Sequence, residues 1–317
     1  MSTHLKLRSA FRKPPAPLTD TALAYNTVAT TYLEHAEGRN SGLFDFHGAH
    51  EFTDRALWSR LDATLVRMWT EGRRAIRILD LGCGPGTWLL RLAVRARDLG
   101  FSAIDGRGID VAPAMIDLAR SRLRFAYDPH IGLRFEVADM IEALDEEDEE
   151  SFDIVLCLNG VLNHLSGEER SRAIEAMERV CDGEIFVTAY SVGGSPSLYL
   201  ADAYDVRQFR QDNETNRLEI HLQDGRHLDL PSHLFTAAEL SGLFSDRVHW
   251  EELIGLDLFH ARFHDNPRWN PAGIDHADRD EELERLEHLC EAMPAMIDSA
   301  SQIFFHGKVG PRLKAMT

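Results

Sequence analysis

The sequence predicts an α/β protein with a seven-stranded, mostly parallel sheet and helices on both faces. From residue 76 onward, short apolar runs alternate with segments whose apolar residues recur at helical spacing. This alternation is typical of strand–helix–strand units. The first run, Ile78-Leu79-Asp80-Leu81, continues into Gly82-Cys83-Gly84-Pro85-Gly86, and alternate glycines of this kind make a tight turn between a strand and a helix. With 317 residues, the chain is long enough for a substantial core.

The segment before the first strand predicts an N-terminal helical cover. Residues 1–20 are basic and contain several prolines, which favours a flexible tail. Residues 21–75 form a predicted helical lid, with one helix that Asp20 caps and a second helix over 53–69. Because both helices precede the sheet, we expect them to cover the mouth of a ligand site rather than to extend the sheet.

Residues 76–190 carry the regular part of the pattern. The predicted strands are 76–81, 104–109, 132–137, 153–158 and 184–190, and the predicted helices are 87–99, 113–123 and 168–180.

The regular alternation stops after the fifth strand. Residues 191–235 read as an inserted cap that faces the substrate, with a hairpin turn at Asp224-Gly225. Residues 236–317 complete the sheet. They predict a helix over 236–244 that Thr236 caps with Glu239, strands over 247–254 and 301–307, and between these strands an excursion with a charged helix over 278–293.

Composition excludes several classes of function. The chain has 34 basic and 52 acidic residues and a formal net charge of −18, which argues against a nucleic-acid partner because phosphates require a basic face. No apolar run is long enough for a membrane span, and no secretory signal is present. The four cysteines are scattered and the histidines form no H-E-x-x-H pattern, so we expect a cytoplasmic protein without a metal site.

The glycine turn, residues 82–86, also indicates the ligand. Its spacing is G-x-G-x-G rather than the G-x-G-x-x-G of dinucleotide folds. Asp80 lies two residues before the first glycine. A carboxylate there would not suit a pyrophosphate at a helix N-terminus, but it suits a ligand with an ammonium and a sulfonium. Residues 80–86 resemble the first motif of the class I S-adenosylmethionine-dependent methyltransferases, and this resemblance extends over residues 76–190.

The resemblance implies S-adenosylmethionine as cofactor and S-adenosylhomocysteine as product. Asp110 lies where an acid accepts both ribose hydroxyls, although it could instead cap the next helix. Asp139 falls where an acid reaches the adenine amino group, and Asn159 falls where the methionine part lies. The full set of implied cofactor residues is Tyr25, Tyr32, Asp80, Gly82, Cys83, Gly84, Gly86, Asp110, Val111, Met115, Asp139, Met140, Asn159 and Gly160.

The substrate side of the site is less defined by the sequence. His164 follows the fourth strand, where a histidine either transfers a proton or braces the loop. Tyr190, Tyr199, Arg262 and Trp269 are candidates to face the acceptor, and Arg262 could instead pair with one of the many carboxylates.

Three classes of function remain open at this point. The leading hypothesis is in-line methyl transfer to an oxygen, nitrogen or sulfur nucleophile of a small molecule, with a protein acceptor as a variant. A nicotinamide-dinucleotide oxidoreductase could use Asp110 in the same way. A binding or regulatory protein could keep the fold without turnover. The sequence predicts no particular oligomeric state.

Overall fold

The computed structural model describes residues 18–38, 42–46, 51–194, 206–260 and 277–311. Its main sheet has seven strands in the order β3-β2-β1-β4-β5-β10-β9. They are β1 (Ala75–Leu81), β2 (Ala103–Asp110), β3 (Ile131–Val137), β4 (Phe152–Cys157), β5 (Cys181–Tyr190), β9 (Val248–Leu256) and β10 (Gln302–Val309). Strands β1 to β5 are parallel, and β10 runs antiparallel to both of its neighbours. The predicted seven-stranded, mostly parallel sheet is confirmed.

Helices cover both faces of this sheet. They are α1 (Asp20–Glu37), α2 (Glu51–Thr70), α3 (Thr87–Leu99), α4 (Pro113–Ser121), α5 (Met140–Asp145), α6 (Gly167–Val180), α7 (Ala237–Ser241), α8 (Ala277–Cys290) and α9 (Pro294–Ile297). Helices α2, α3 and α4 pack on one face, around Leu61 and Leu89, and α5, α6 and α7 pack on the other, around Leu144 and Met177. Because both faces of the central strands are covered, β4 is buried along its whole length.

The segment after β5 forms a second, antiparallel sheet, which we call the cap sheet. Its strands are β6 (Val206–Asp212), β7 (Arg217–Leu222) and β8 (His227–Pro231). The predicted hairpin between β7 and β8 is confirmed, with Gly225 of its turn at a φ of 88°. The inner face of this sheet, with Ile220 at its centre, packs on Ala24 and Val28 of α1. The cap sheet therefore holds α1 over the main sheet.

Several predicted boundaries change in the structure. Helix α1 begins at Asp20, but Thr19 is its N-cap, since the Thr19 hydroxyl accepts from the N–H of Ala22 at 3.2 Å. Thr236 caps α7 as predicted, and α7 ends at Ser241, earlier than expected. The charged helix predicted over 278–293 is confirmed as α8, which ends at Cys290, and Pro294 begins the separate short helix α9.

Helix α2 does more than cover the site, because its buried residues join the core beneath α3. Within the described ranges, none of the helices combines the length and apolar composition that a bilayer span needs. The predicted tail up to residue 17 and the candidates Tyr199, Arg262 and Trp269 lie outside the described residues.

Candidate active site

A cavity of about 310 Å³ lies at the carboxyl ends of β1, β2 and β4, beneath α1. Most of the residues that the sequence assigned to the ligand line it. They are Tyr25, Tyr32, Asp80, Gly82, Cys83, Gly84, Asp110, Val111, Met115, Asp139, Met140, Asn159 and His164. Gly86, Gly160 and Tyr190 are not part of the lining and lie behind it. A Cβ at Gly86 would meet the Phe135 ring at 2.7 Å, and a Cβ at Gly160 would meet the Tyr190 ring at 2.4 Å.

Asp80 is the most unusual residue of the cavity. Its side chain is 2% exposed, and among the described residues its Oδ2 atom has no hydrogen-bond partner. Burial, with a further contribution from the Asp110 charge, raises the pKa of Asp80 to about 8. A buried acceptor without a donor is costly, so the site favours a ligand that brings a donor or a positive charge to this carboxylate.

The glycine turn brings open backbone next to Asp80. Gly82 and Gly84 have φ angles of 65° and 51°, in the left-handed region that favours glycine. A Cβ at Gly84 would meet no atom within 4 Å, so at this residue the turn faces open space. The N–H of Gly84 donates to Oδ2 of Asp110 at 2.9 Å, which fixes the turn against the end of β2.

Both carboxylate oxygens of Asp110 accept a backbone hydrogen bond. Its Oδ1 accepts from the N–H of Ala112 at 2.8 Å, while its Oδ2 accepts from Gly84. Each carboxylate oxygen has more than one lone pair, so both can accept a further hydrogen bond. Burial raises the pKa of Asp110 to about 6. Ala112 rather than Asp110 is the N-cap of α4, although Asp110 accepts from the N–H of that residue.

Asp139 and Met140 lie at the junction between β3 and α5. Asp139 caps α5, since its Oδ1 accepts from the N–H groups of Ile141 at 2.8 Å and Glu142 at 3.2 Å. This cap fixes the carboxylate on the cavity wall. Met115 of α4 packs against α1 on the opposite side. Their predicted contacts with an adenine stay predictions.

His164 joins three parts of the structure at the cavity wall. Its Nδ1 lies 2.8 Å from the carbonyl oxygen of Pro231 in β8, and its Nε2 lies 2.9 Å from the hydroxyl of Tyr25 in α1. Because a carbonyl only accepts, Nδ1 carries the proton and Nε2 accepts from Tyr25. Burial lowers the pKa of His164, which favours the neutral ring. The histidine therefore links α1, the turn after β4 and the cap sheet.

The turn after β4 places Asn159 in the cavity. Asn159 and Gly160 have φ angles of 57° and 81°, so the chain reverses within two left-handed residues. The N–H of Asn159 donates to the Thr188 hydroxyl at 2.6 Å, which fixes this turn to β5.

A buried polar cluster, which was not predicted from the sequence, borders the cavity. The Arg122 guanidinium donates to both carboxylate oxygens of Glu37 at 2.6 Å and to the Thr87 hydroxyl at 3.0 Å. Glu37 and Thr87 both line the cavity. Little in the sequence indicates that Arg122 is buried, because the basic residues on either side of it, Arg120 and Arg124, are exposed.

A second missed pair, Asp54 and Arg91, lies at the same end of the cavity. Arg91 is 1% exposed, and its guanidinium stacks over the rings of Phe46 and Trp88, at 4.4 and 4.7 Å from their centroids. Its Nη1 lies 3.4 Å from Oδ2 of Asp54. Burial raises the pKa of Asp54 to about 7, although the Arg91 charge opposes the shift. The position of Arg91 within the apolar run Trp88–Leu92 is the feature of the sequence that could have indicated its burial.

Within the part of the chain that the structure describes, one group of possible metal ligands lies outside the cavity. Glu219, His221 and His227 bring one ligand atom each within 4.8 Å of one another on the outer face of the cap sheet. The strand register explains their proximity, since His221 pairs with His227. No metal site is expected from the sequence; the two histidines are six positions apart along the chain, and the hairpin brings them together.

Comparison with known proteins identifies the domain that carries the cavity. Residues 78–183 match the family model described as "Methyltransferase domain". No curated protein matches this chain with significance.

Solved structures of low identity are also similar. A Methanosarcina mazei protein described as a SAM-dependent methyltransferase is 16% identical, with a TM-score of 0.48, over 76% of this chain and 95% of that one. Magnesium protoporphyrin IX methyltransferase from Synechocystis, with bound SAH, is 12% identical, with a TM-score of 0.48, over 92% of this chain and 100% of that one. Phosphoethanolamine N-methyltransferase 2 from Haemonchus contortus is 17% identical over 93% and 58%, with a TM-score of 0.46.

Proposed function

We propose that the chain is a class I S-adenosylmethionine-dependent methyltransferase, as the methyltransferase domain matched over residues 78–183 supports, and that it methylates a small-molecule acceptor in the cavity beneath α1. When bound, S-adenosylmethionine supplies an electrophilic methyl group to a lone pair on the acceptor, and S-adenosylhomocysteine leaves with the electron pair of the broken carbon–sulfur bond. The protein's part is to hold both molecules in line and to exclude water.

The observation that carries the proposal is the unpartnered Oδ2 of Asp80. A buried carboxylate with a raised pKa is stabilised when a positive charge arrives beside it. The cofactor has an ammonium and a sulfonium, so it fits this requirement. The open space above Gly84 gives it room to approach the backbone.

The remaining strand-end residues fit the other parts of the cofactor. Asp110 would hold the ribose hydroxyls with the lone pairs that Gly84 and Ala112 leave available. Asp139, with the backbone of Met140, would bind the adenine amino edge, and Asn159 would lie along the methionine part. A nicotinamide dinucleotide fits less well, because its pyrophosphate would lie close to the Asp80 carboxylate.

A small acceptor is favoured over a protein by how the cavity is covered. Helix α1 lies across it, and the contact of His164 with Tyr25 and Pro231 ties α1 to the cap sheet. A protein chain would have to displace this cover. A proton-transfer role for His164 stays a prediction. Its Nε2 is the ring atom that can accept a proton, and this atom already accepts a hydrogen bond from the Tyr25 hydroxyl.

The proposal is tested by incubating the chain with S-adenosylmethionine and a mixture of small amines, alcohols, phenols and thiols. Mass spectrometry should detect S-adenosylhomocysteine together with an acceptor that has gained one methyl group. Asp80→Asn should abolish both products, whereas Asp62→Asn, an equal charge change where Asp62 pairs with Arg95 on the surface, should not. Binding of S-adenosylhomocysteine without turnover on any acceptor would indicate a binding protein, and stabilisation by a nicotinamide dinucleotide instead would contradict the proposal.

A further inference from the structure

The ionisable lining of the cavity is almost entirely acidic. Three carboxylates come from strand ends, at Asp80, Asp110 and Asp139, and four more from the surrounding helices, at Asp20, Glu37, Asp54 and Glu169. Among the described residues, no lysine or arginine side chain is part of this lining. Acidic walls of low dielectric attract cations and repel anions, so an acceptor with a carboxylate or phosphate near these walls is disfavoured.

The cofactor accounts for only part of this charge. Its contacts would use the three strand-end acids. Of the other four, Glu37 is neutralised by Arg122, Glu169 accepts from the N–H of Ser166 at 2.7 Å, and Asp20 is exposed at the rim. Asp54 is the remaining buried carboxylate, and its ion pair with Arg91, at 3.4 Å, is longer than the 2.6 Å between Glu37 and Arg122.

The surroundings of Asp54 suit a cation. Its side chain is buried, and its polar partner among the described residues is Arg91, at a distance of 3.4 Å. This distance is longer than a usual charge-assisted hydrogen bond, so Asp54 retains the capacity to bind a further donor. Tyr25 and Tyr32 line the same cavity with their rings edge to face, 6.1 Å apart. Aromatic faces attract ammonium groups.

Building on the function proposed above, we infer that the acceptor is an amine and that Asp54 binds its ammonium group and receives its proton. The ammonium nitrogen gives one proton to the Asp54 carboxylate and so gains a free lone pair. That pair forms the new nitrogen–carbon bond to the methyl group, and the carbon–sulfur pair leaves with sulfur. The product is the methylated ammonium, and Asp54 then loses its proton to solvent.

The protonation behaviour of Asp54 suits this role. Burial raises the pKa of the carboxyl group to about 7, and a group with a pKa near the working pH both accepts and releases a proton readily. Arg91, held by the Leu43 carbonyl at 2.7 Å and by two rings, keeps its position.

The test uses three probes of the same shape: phenethylamine, phenethyl alcohol and 3-phenylpropionate. Each is titrated calorimetrically into the wild-type chain saturated with S-adenosylhomocysteine. The amine should bind at least about tenfold more tightly than the alcohol, the size expected for one charge-assisted hydrogen bond, and the carboxylate should bind most weakly. Equal binding of amine and alcohol, or preferred binding of the carboxylate, would overturn the inference.

Two variants of α2 assign the effect to Asp54. Asp54→Asn should weaken phenethylamine binding by at least about tenfold while affinity for S-adenosylhomocysteine stays the same. Asp62→Asn, on the same helix but paired with Arg95 outside the cavity, should change neither. If Asp54→Asn instead weakens S-adenosylhomocysteine as much as the amine, Asp54 belongs to the cofactor site.

The two proposals fail in different ways. If S-adenosylhomocysteine does not bind the wild-type chain, the proposed function itself is wrong, and the inference falls with it. If it binds and the methylated products are ethers or thioethers rather than amines, the function stands and the amine inference is wrong.

Discussion

Binding of S-adenosylhomocysteine should release about one proton at pH 7. In the ligand-free cavity the pKa of Asp80 is raised to about 8 and that of Asp110 to about 6. At pH 7, roughly nine tenths of Asp80 and one tenth of Asp110 are then protonated. A ligand that brings an ammonium to Asp80 binds its ionised form, so the proton leaves as the complex forms.

The same values give the size of the effect on affinity. Ionising a carboxyl group one pH unit below its pKa costs about 1.4 kcal/mol. Affinity should therefore rise about tenfold from pH 7 to pH 9, once the titration of the ligand's own amine is subtracted. Calorimetry in phosphate and in Tris, whose ionisation heats differ, counts the protons directly.

Two variants separate this proton from others in the cavity. Asp80→Asn should reduce the release at pH 7 to nearly zero, while Asp54→Asn should leave it unchanged because Asp54 is assigned to the acceptor. Binding of S-adenosylhomocysteine by the wild type without any proton release, or with the same release in Asp80→Asn, would refute the assignment of Asp80 to the ammonium.

The stability of the ligand-free chain should fall as the pH rises, which is opposite to the expected pH dependence of S-adenosylhomocysteine affinity. The pKa of Asp80 is about 8 in the fold against a model-compound value of 3.8, so between about pH 4 and pH 8 the folded chain keeps a proton that the unfolded chain has lost. Stability therefore falls as the pH rises through this window. Asp80→Asn should remove that part of the fall, which urea denaturation at several pH values would measure.

Three further substitutions test the walls of the cavity. Gly86→Ala places a Cβ 2.7 Å from an aromatic ring at a φ of 77° and should lower the free energy of unfolding by about 3 kcal/mol. Gly84→Ala, which also has a positive φ but open space around the Cβ, should lower it by only about 1 kcal/mol, yet should weaken the binding of S-adenosylhomocysteine. Equal melting temperatures of the two variants would contradict this difference. Arg122→Met leaves the Glu37 carboxylate buried without its partner and should cost about 3 kcal/mol in urea denaturation, most of which adding Glu37→Gln should restore. His164 is neutral in the fold because burial lowers its pKa, so stability should fall as the pH drops below 6.5, the ordinary pKa of a histidine. His164→Gln should lessen that loss of stability between about pH 7.5 and 5.5. An unchanged loss would exclude this histidine as its source.

The centre of the main sheet could be predicted because a strand such as β4 is buried along its whole length and is therefore a nearly continuous apolar run. The cap-sheet strand β6 could not. Its sequence, Val206-Arg207-Gln208-Phe209-Arg210-Gln211-Asp212, has polar residues on both faces, and none of its residues is fully buried. It pairs with β7 through backbone hydrogen bonds, which leave little trace in side-chain patterning.

The strand-end acids of the site could also be predicted, because parallel strands bring their carboxyl ends to one edge of a sheet. The pairs Glu37–Arg122 and Asp54–Arg91 could not. Their members are 85 and 37 residues apart in the chain, and they meet only because α1 and α2 pack beside α3 and α4. Helical periodicity predicts such helices but not which polar residues of two helices face one another.

The most direct test is a crystal structure of the chain grown with S-adenosylhomocysteine. The account predicts the ligand in the cavity beneath α1, with its ammonium within hydrogen-bond distance of the Asp80 carboxylate and its ribose hydroxyls on Asp110. A ligand bound elsewhere, or one in the cavity that leaves Oδ2 of Asp80 without a donor, would contradict it.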